Sequence, residues 1–250
     1  MSGLLCAGDL FIDRLTEAGA STGMLPVGNA TRFEITESAT RVQRTGRGRS
    51  NYGQVLDEVA IKQPGTLGIT LDEIDKVNLA MALLGDTAAI AVAAGTFSDV
   101  EVTAHLGKRS HIGYRNILDD PAPVVTNEAG DTTYDVDDDY TIDFRLGDII
   151  PVDGGAISEG DTIKVSGSNG AVSGSRISGG VKPQTKAKLF LDGKNLATGE
   201  SVFVTVDEAT ITPDGAIDFL SAEFSALSLT GSMRLLDGNT APYTVDVIEA

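Results

Sequence analysis

The sequence has no tryptophan, a single cysteine and few basic residues, and each shortage removes a class of function. With no second cysteine there is no intramolecular disulfide, and Cys6 has no companions at metal-ligand spacing, so it reads as a small buried hydrophobe. Only 19 Lys and Arg stand against 36 Asp and Glu, a formal charge of −17. That balance argues against general nucleic-acid binding, because affinity for phosphate rests on cations that neutralise it. No apolar run approaches the roughly 18 residues of a membrane-spanning helix, and the opening Met1–Ala7 lacks the basic and apolar regions of a signal peptide. The expectation is a protein folded in a cytoplasm, without membrane insertion.

Glycine, in contrast, is plentiful, with 29 residues in 250. Many short strands joined by tight turns use glycine in this way, since it adopts the positive φ that hairpins need. The length suffices for one large domain or two small ones with real cores.

One stretch has helical periodicity. Thr70 followed by Glu73 has the spacing of a capping box, and Leu71, Ile74, Val77, Ala80, Met81 and Leu84 recur at intervals of three and four. The spacing predicts a helix over 70–85 with Leu71, Ile74, Val77, Met81 and Leu84 on its core face, ended by a left-handed Gly85.

Elsewhere the pattern alternates with the period of strands. Phe33 and Ile35 oppose Glu34 and Thr36; Val59 and Ile61 oppose Glu58 and Lys62; Val100, Val102, Ala104 and Leu106 oppose Glu101, Thr103 and His105. Strands are also expected over 4–15, 188–192, 201–207, 224–231 and 243–248. Between residues 41 and 53 the composition turns basic, with Arg41, Arg44, Arg47 and Arg49 beside Gly46, Gly48 and Tyr52. This reads as a long flexible loop.

Residues 119–168 change character, with Pro121 and Pro123 followed by an acid run at Asp135, Asp137, Asp138 and Asp139 and short alternating strands between Gly and Asp turns. They suit a small all-β module inserted into a larger domain, with Tyr140 and Phe144 in its core. The expected organisation is a first domain part over 1–118, the module over 119–168, a Gly/Ser linker over 169–180 and the second domain part over 181–250.

No nucleophile elbow, phosphate loop, zinc spacing or histidine-based triad is visible, so the expectation is a protein that is not an enzyme and needs no cofactor or metal. His105 and His111 read as solvent-facing or satisfied. The acid run lacks the spacing of a calcium loop: counted from Asp135, the sixth and twelfth positions are Tyr140 and Leu146 instead of Gly and Glu. The arginine cluster has three readings: a solvated loop, a loop that leaves its subunit to pair with acid on a neighbour, or a direct nucleic-acid contact. Charge complementarity favours the second.

Several motifs in order along the chain resemble the major tail tube protein of long-tailed bacteriophages. They are Gly8-Asp9-Leu10-Phe11-Ile12-Asp13-Arg14, the Val27-Gly28-Asn29 turn before Phe33-Glu34-Ile35, the polar loop, and Val77-Asn78-Leu79-Ala80-Met81-Ala82-Leu83-Leu84-Gly85. Asp192-Gly193-Lys194-Asn195 with Thr198-Gly199, and Phe224-Ser225-Ala226-Leu227 with Leu229-Thr230-Gly231, continue the likeness. It covers residues 1–112 and about 180–250, and the inserted module is similar to small β modules of phage virion proteins.

The resemblance implies a mainly β fold, two packed and strongly bent sheets flanked by one helix, in a virion protein that self-assembles into stacked hexameric rings. The rings form the tail tube through which DNA is ejected without specific binding. The partners implied are further copies of the chain and other tail proteins such as the tape measure and the tail terminator, with assembly in the host cytoplasm. Six copies at −17 each would collect about 100 negative charges, a lining that repels DNA instead of holding it. Glu34, Glu58 and Glu101 are then expected on the polar face of the inner sheet, lining the bore. Arg41, Arg44, Arg47, Arg49 and Tyr52 match the loop that reaches the adjacent ring. The alternative is a non-enzymatic surface β-protein whose acidic module binds a ligand or calcium.

Overall fold

The computed structural model describes residues 3–249 and is mainly β, with one helix among them and two compact units. The first unit runs through Thr87 and resumes at Ile177; the second spans Ala88–Arg176.

The first unit begins with β1 (Cys6–Arg14), β2 (Met24–Pro26), β3 (Ala30–Thr36), β4 (Ala39–Thr45), β5 (Val55–Lys62), β6 (Thr66–Leu71) and α1 (Lys76–Ala82). The chain then passes through β7 (Asp86–Val92) into the second unit, made of β8 (Gly95–Thr103), β9 (Ser110–His111), β10 (Val124–Asn127), β11 (Tyr140–Asp143), β12 (Asp148–Pro151) and β13 (Thr162–Asn169). It leaves through β14 (Val172–Ser178), the partner of β7, and completes the first unit with β15 (Thr185–Asn195), β16 (Ser201–Pro213), β17 (Leu227–Met233) and β18 (Tyr243–Ile248).

Eight strands of the first unit form one antiparallel sheet in the order β2-β1-β15-β16-β17-β6-β3, with β18 also on β16. Strand β16 is long enough to serve two neighbours: Ser201–Val206 pairs with β18, and Ala209–Pro213 pairs with β17. The sheet therefore forks at β16. The alternation in sequence sets its two faces. Leu10, Ile12, Leu189, Val206, Ile211, Leu229 and Ile69 join Met81 and Ala82 of α1 in one buried cluster, each large side chain contributing about 1.5–3 kcal/mol on burial. The opposite side of the β3-β6-β17-β16 part carries hydroxyls: Thr70 lies beside Ser228, and Thr230 beside Thr212.

The helix is shorter than its periodicity predicts. Thr66–Leu71 alternates as well, and pairing with β3 on one side and β17 on the other satisfies its backbone groups, so Thr70 and Leu71 end a strand. Leu71 is buried from that strand, Ile74 is 39% exposed ahead of the helix, and Val77 and Leu84 are only half-buried; Met81 alone of the five predicted residues is a buried helical one. The N-cap is Asp75, whose carboxylate accepts from the amides of Val77 at 2.9 Å and Asn78 at 2.6 Å. Glu73 instead accepts from the amide of Asn29. At the other end Leu84, not Gly85, has positive φ, 49°. The amides of Leu84 and Gly85 donate to the carbonyls of Met81 and Ala80, the two bonds of a Schellman ending. Glycine at 85 answers to space: a Cβ there would lie 2.7 Å from the Ser178 carbonyl oxygen.

The second unit starts earlier than expected. Strand β8, with Val100 to Thr103, pairs with β13 from Thr162 to Val165 and belongs to this unit, so its first boundary falls at 88 and not 119. Residues 169–180 are not a linker: Val172–Ser178 is strand, paired with β7. Two three-stranded sheets, β10-β13-β8 and β11-β12-β9, supply a core of Phe97, Val125, Tyr140, Ile149, Ile163 and Val165, with Phe144 packed against it. Cys6 is exposed, because β1 starts beyond the region that the core covers.

Candidate functional site

The basic stretch 41–53 is part strand and part turn: residues 41–45 belong to β4, and 46–53 form the turn that leads to β5. Strands β4 and β5 pair from Ala39 opposite Lys62 to Thr45 opposite Val55, with Val42 opposite Val59. They continue the β3–β6 ribbon outward, since the Gln63 amide donates to the Ser38 carbonyl at 3.0 Å between the two ladders. At about 3.3 Å per residue the strands span roughly 25 Å. β-branched residues on both strands explain why the stretch is extended in spite of its charge.

Every residue of β4 and β5 is exposed. Alternation leaves Val42, Val59 and Ile61 on one side of the arm, each at least half exposed, with the Arg44–Asp57 pair toward the tip on the same side. The other side bears Arg41, Gln43 and Glu58, where Glu58 accepts from Arg41 at 3.1 Å and from Gln43 at 2.5 Å. The tip is closed by its own backbone, the Gly46 amide donating to Gln54 at 2.7 Å and the Gly53 amide to Gly46 at 2.9 Å. Gly46 is required there, because a Cβ would meet the Asn51 carbonyl oxygen at 2.3 Å. Arg47, Arg49 and Tyr52 project from this turn, Tyr52 80% exposed. The predicted arginines thus separate into two sets: Arg41 and Arg44 on a strand that faces Asp57 and Glu58, and Arg47 and Arg49 at the tip.

The three acids expected on one inner sheet are on three different ones. Glu34 is on β3 of the eight-stranded sheet, paired with Arg32; Glu58 is on the arm; Glu101 is on β8 of the second unit, opposite Lys164. Alternation identified the wet face of β3 and β8, whereas β5 is exposed on both sides, and it carries no information about which strands share a sheet. They cannot form one acidic lining of a single sheet face.

Sequence reading missed further exposed apolar groups in the first unit. Phe219, Leu220 and Phe224 lie on the loop between β16 and β17, at 71%, 94% and 103% exposure, and Val245 and Val247 on β18 are also open. The signal was present as large apolar residues after Pro213-Asp214-Gly215; Phe224, expected to open a strand over 224–231, lies ahead of it, because β17 starts at Leu227.

The polar groups of the second unit serve its loops. Asp139 accepts from the amides of Ala156 at 2.7 Å and Asp135 at 2.9 Å, and these bonds hold its carboxyl below the usual range. Arg109 donates to Asp143 at 2.8 Å and to Asp148 at 3.1 Å, while His111 Nδ1 is 2.9 Å from Asp148. The Arg109 hydrogen bond lowers the Asp143 carboxyl. His105 meets Glu159 at 2.8 Å and lowers it likewise. Each histidine therefore has a carboxylate that sequence spacing did not disclose. Among the described residues no group of three His, Cys, Asp or Glu is placed to hold a metal ion, and no helix is long and apolar enough to cross a membrane. A cleft of about 580 Å³ in the first unit is lined by Arg14, Lys182, Lys186, Glu17 and Asp86 among others, with Lys182 and Asp86 paired to each other.

A family model described as "Protein of unknown function UCP028589" matches residues 4–241 and so runs through both units. No curated protein matches the chain.

Proposed function

We propose that this chain, which belongs to that family, is a structural virion protein whose copies assemble into stacked hexameric rings, the tail tube of a long-tailed bacteriophage. The observation that carries the reading is the β4–β5 arm, two full strands without one buried side chain. An isolated two-stranded hairpin is marginal in water, so an arm with a β-branched apolar side is suited to a partner surface. The exposed Phe219, Leu220 and Phe224 add a second unpartnered surface on the same unit. A chain that offers several such surfaces and carries −17 charge is suited to ordered contact with its own copies while repelling the DNA that passes.

In this reading the arm leaves its own subunit, with Arg47 and Arg49 at its tip meeting acid on the next. The hydroxyl-rich side of the β3-β6-β17 part, with Thr66, Thr70, Ser228 and Thr230, is the surface offered to the bore. Its one cation on β3, Arg32, is already paired with Glu34, and none stands on β6 or β17 to hold phosphate. The second unit decorates the tube, and the tape measure and tail terminator are the other tail partners.

The test is size-exclusion chromatography with negative-stain electron microscopy of the same concentrated sample. Hollow rings or tubes with sixfold end views are expected. Monomers at every concentration, even with purified tail-tip complexes added as initiators, would sink the proposal.

A further inference from the structure

We propose that β4 of one copy adds to the free edge of β18 in a second copy, extending its sheet by one strand; this rests on the self-assembly reading above. Strand β18 pairs with β16 from Ser201 to Val206 on one side and with no strand among the described residues on the other. It is six residues long and contains no lysine, proline or bulge, the usual devices that blunt an edge. Val245 and Val247 beside that edge are 51% and 57% exposed.

Charge selects the partner strand. The charged residues of β18 and the position after it are Asp246 and Glu249, while those of β4 are Arg41 and Arg44. Strand β5 carries Asp57 and Glu58 against a single cation, Lys62 at its far end, so it would meet β18 with net like charge. Among the described residues, strand β4 also has one side unpaired, with β5 on the other. Among other edges of the first unit, β2 has three residues and ends in proline, and β3 is balanced by Arg32 and Glu34. The acidic edge β8 of the second unit buries its Phe97 and Val102 in its own core and leaves no apolar strip for the arm. Added strands gain main-chain hydrogen bonds along the edge and side-chain matching on alternate residues. The contact is heterologous, arm to edge, so repeated copies either close a ring or run on as a stack.

The test uses the full chain with Cys6→Ser, carrying Val42→Cys on one preparation and Thr244→Cys, Val245→Cys or Asp246→Cys on a second. Mixed under conditions where the unmodified chain forms particles and then oxidised, one of the three registers is expected to give disulfide-linked dimers that join the two preparations. A charge exchange reads the same contact without cysteine. Asp246→Arg should raise the concentration needed for assembly by at least about tenfold, and adding Arg44→Asp should restore it. Particles that form with no cross-link in any register and no response to the charge exchange would overturn this pairing and leave the tube reading standing. Absence of particles from the unmodified chain under every condition would overturn both.

Discussion

The side-chain amide of Asn78 donates to the backbone carbonyl of Val27 at 2.9 Å in the interior, joining α1 to the turn that leads into β3. The same nitrogen lies 3.3 Å from the Glu73 carbonyl, while Glu73 and Asp72 bond Asn29 from the other side. A short helix whose buried residues are Asn78, Ala80, Met81 and Ala82 is thereby fixed to the sheet by polar contacts as well as by packing. Asn78→Ala leaves the Val27 carbonyl without its partner and should destabilise the first unit by about 1–3 kcal/mol. Urea unfolding followed by circular dichroism measures it; an unchanged midpoint would mean that the helix is held by the packing of Ala80, Met81 and Ala82.

Arg47 and Arg49 differ from Arg41 in having no acid across the arm. Arg47→Glu with Arg49→Glu should abolish assembly while the unfolding free energy of the monomer stays within about 0.5 kcal/mol, the range of ordinary surface changes. Arg41→Gln loses only an exposed pair with Glu58, about 0–1 kcal/mol, and should affect assembly less. Sedimentation of the assembled fraction compares the two. Equal assembly by the double variant and the wild type would remove the tip from the interface.

Asp131, Asp139, Asp143 and Glu159 of the second unit all have carboxyls held below their usual range, chiefly by Asn127, the Ala156 amide, Arg109 and His105 respectively. A lowered carboxyl contributes stability in full above its unfolded pKa, about 4, and loses it as pH falls through the folded value. The second unit should therefore melt at a lower temperature at pH 3 than at pH 7. Asp139→Asn should flatten part of that difference in scanning calorimetry, since its neutral amide does not titrate. An unchanged difference would place the acid sensitivity on the other three groups.

Strand text was legible because side-chain alternation reports burial directly: Val202, Val204 and Val206 point inward as their spacing says, and Tyr243–Ile248 begins and ends where it was expected. What alternation cannot report is the neighbour. Glu34, Glu58 and Glu101 each sit on a wet face, but sheet membership depends on pairings with β6, β4 and β13, contacts distant in sequence or set by a hairpin that the arginines disguised. The helix start failed for a related reason. Thr70 and Leu71 satisfy a helical pattern and a strand pattern together, and only β3 and β17 on either side decide between them. At the helix end glycine chemistry named the right neighbourhood and the wrong residue, because packing against Ser178 demanded Gly85 and left the positive φ to Leu84.

Two glycines of the second unit separate backbone strain from steric exclusion. Gly147 has φ 73°, and a Cβ on it would sit 1.8 Å from the Tyr114 carbonyl oxygen, where no side-chain rotation relieves the overlap. Gly154 has φ 92° with nothing within 4 Å of its Cβ position. Gly154→Ala should thus incur only the left-handed penalty, about 1–2 kcal/mol. Gly147→Ala adds displacement of the segment around Tyr114, whose ring stacks on Phe97 at 4.6 Å in the core cluster. It should cost clearly more than Gly154→Ala and raise hydrogen exchange at Ile112, Asn116 and Ile117, whose amides bond Gly147, Arg145 and Phe144. Matching losses from the two variants would show that the Tyr114 segment yields freely, and that the second unit tolerates motion at the turn after β11.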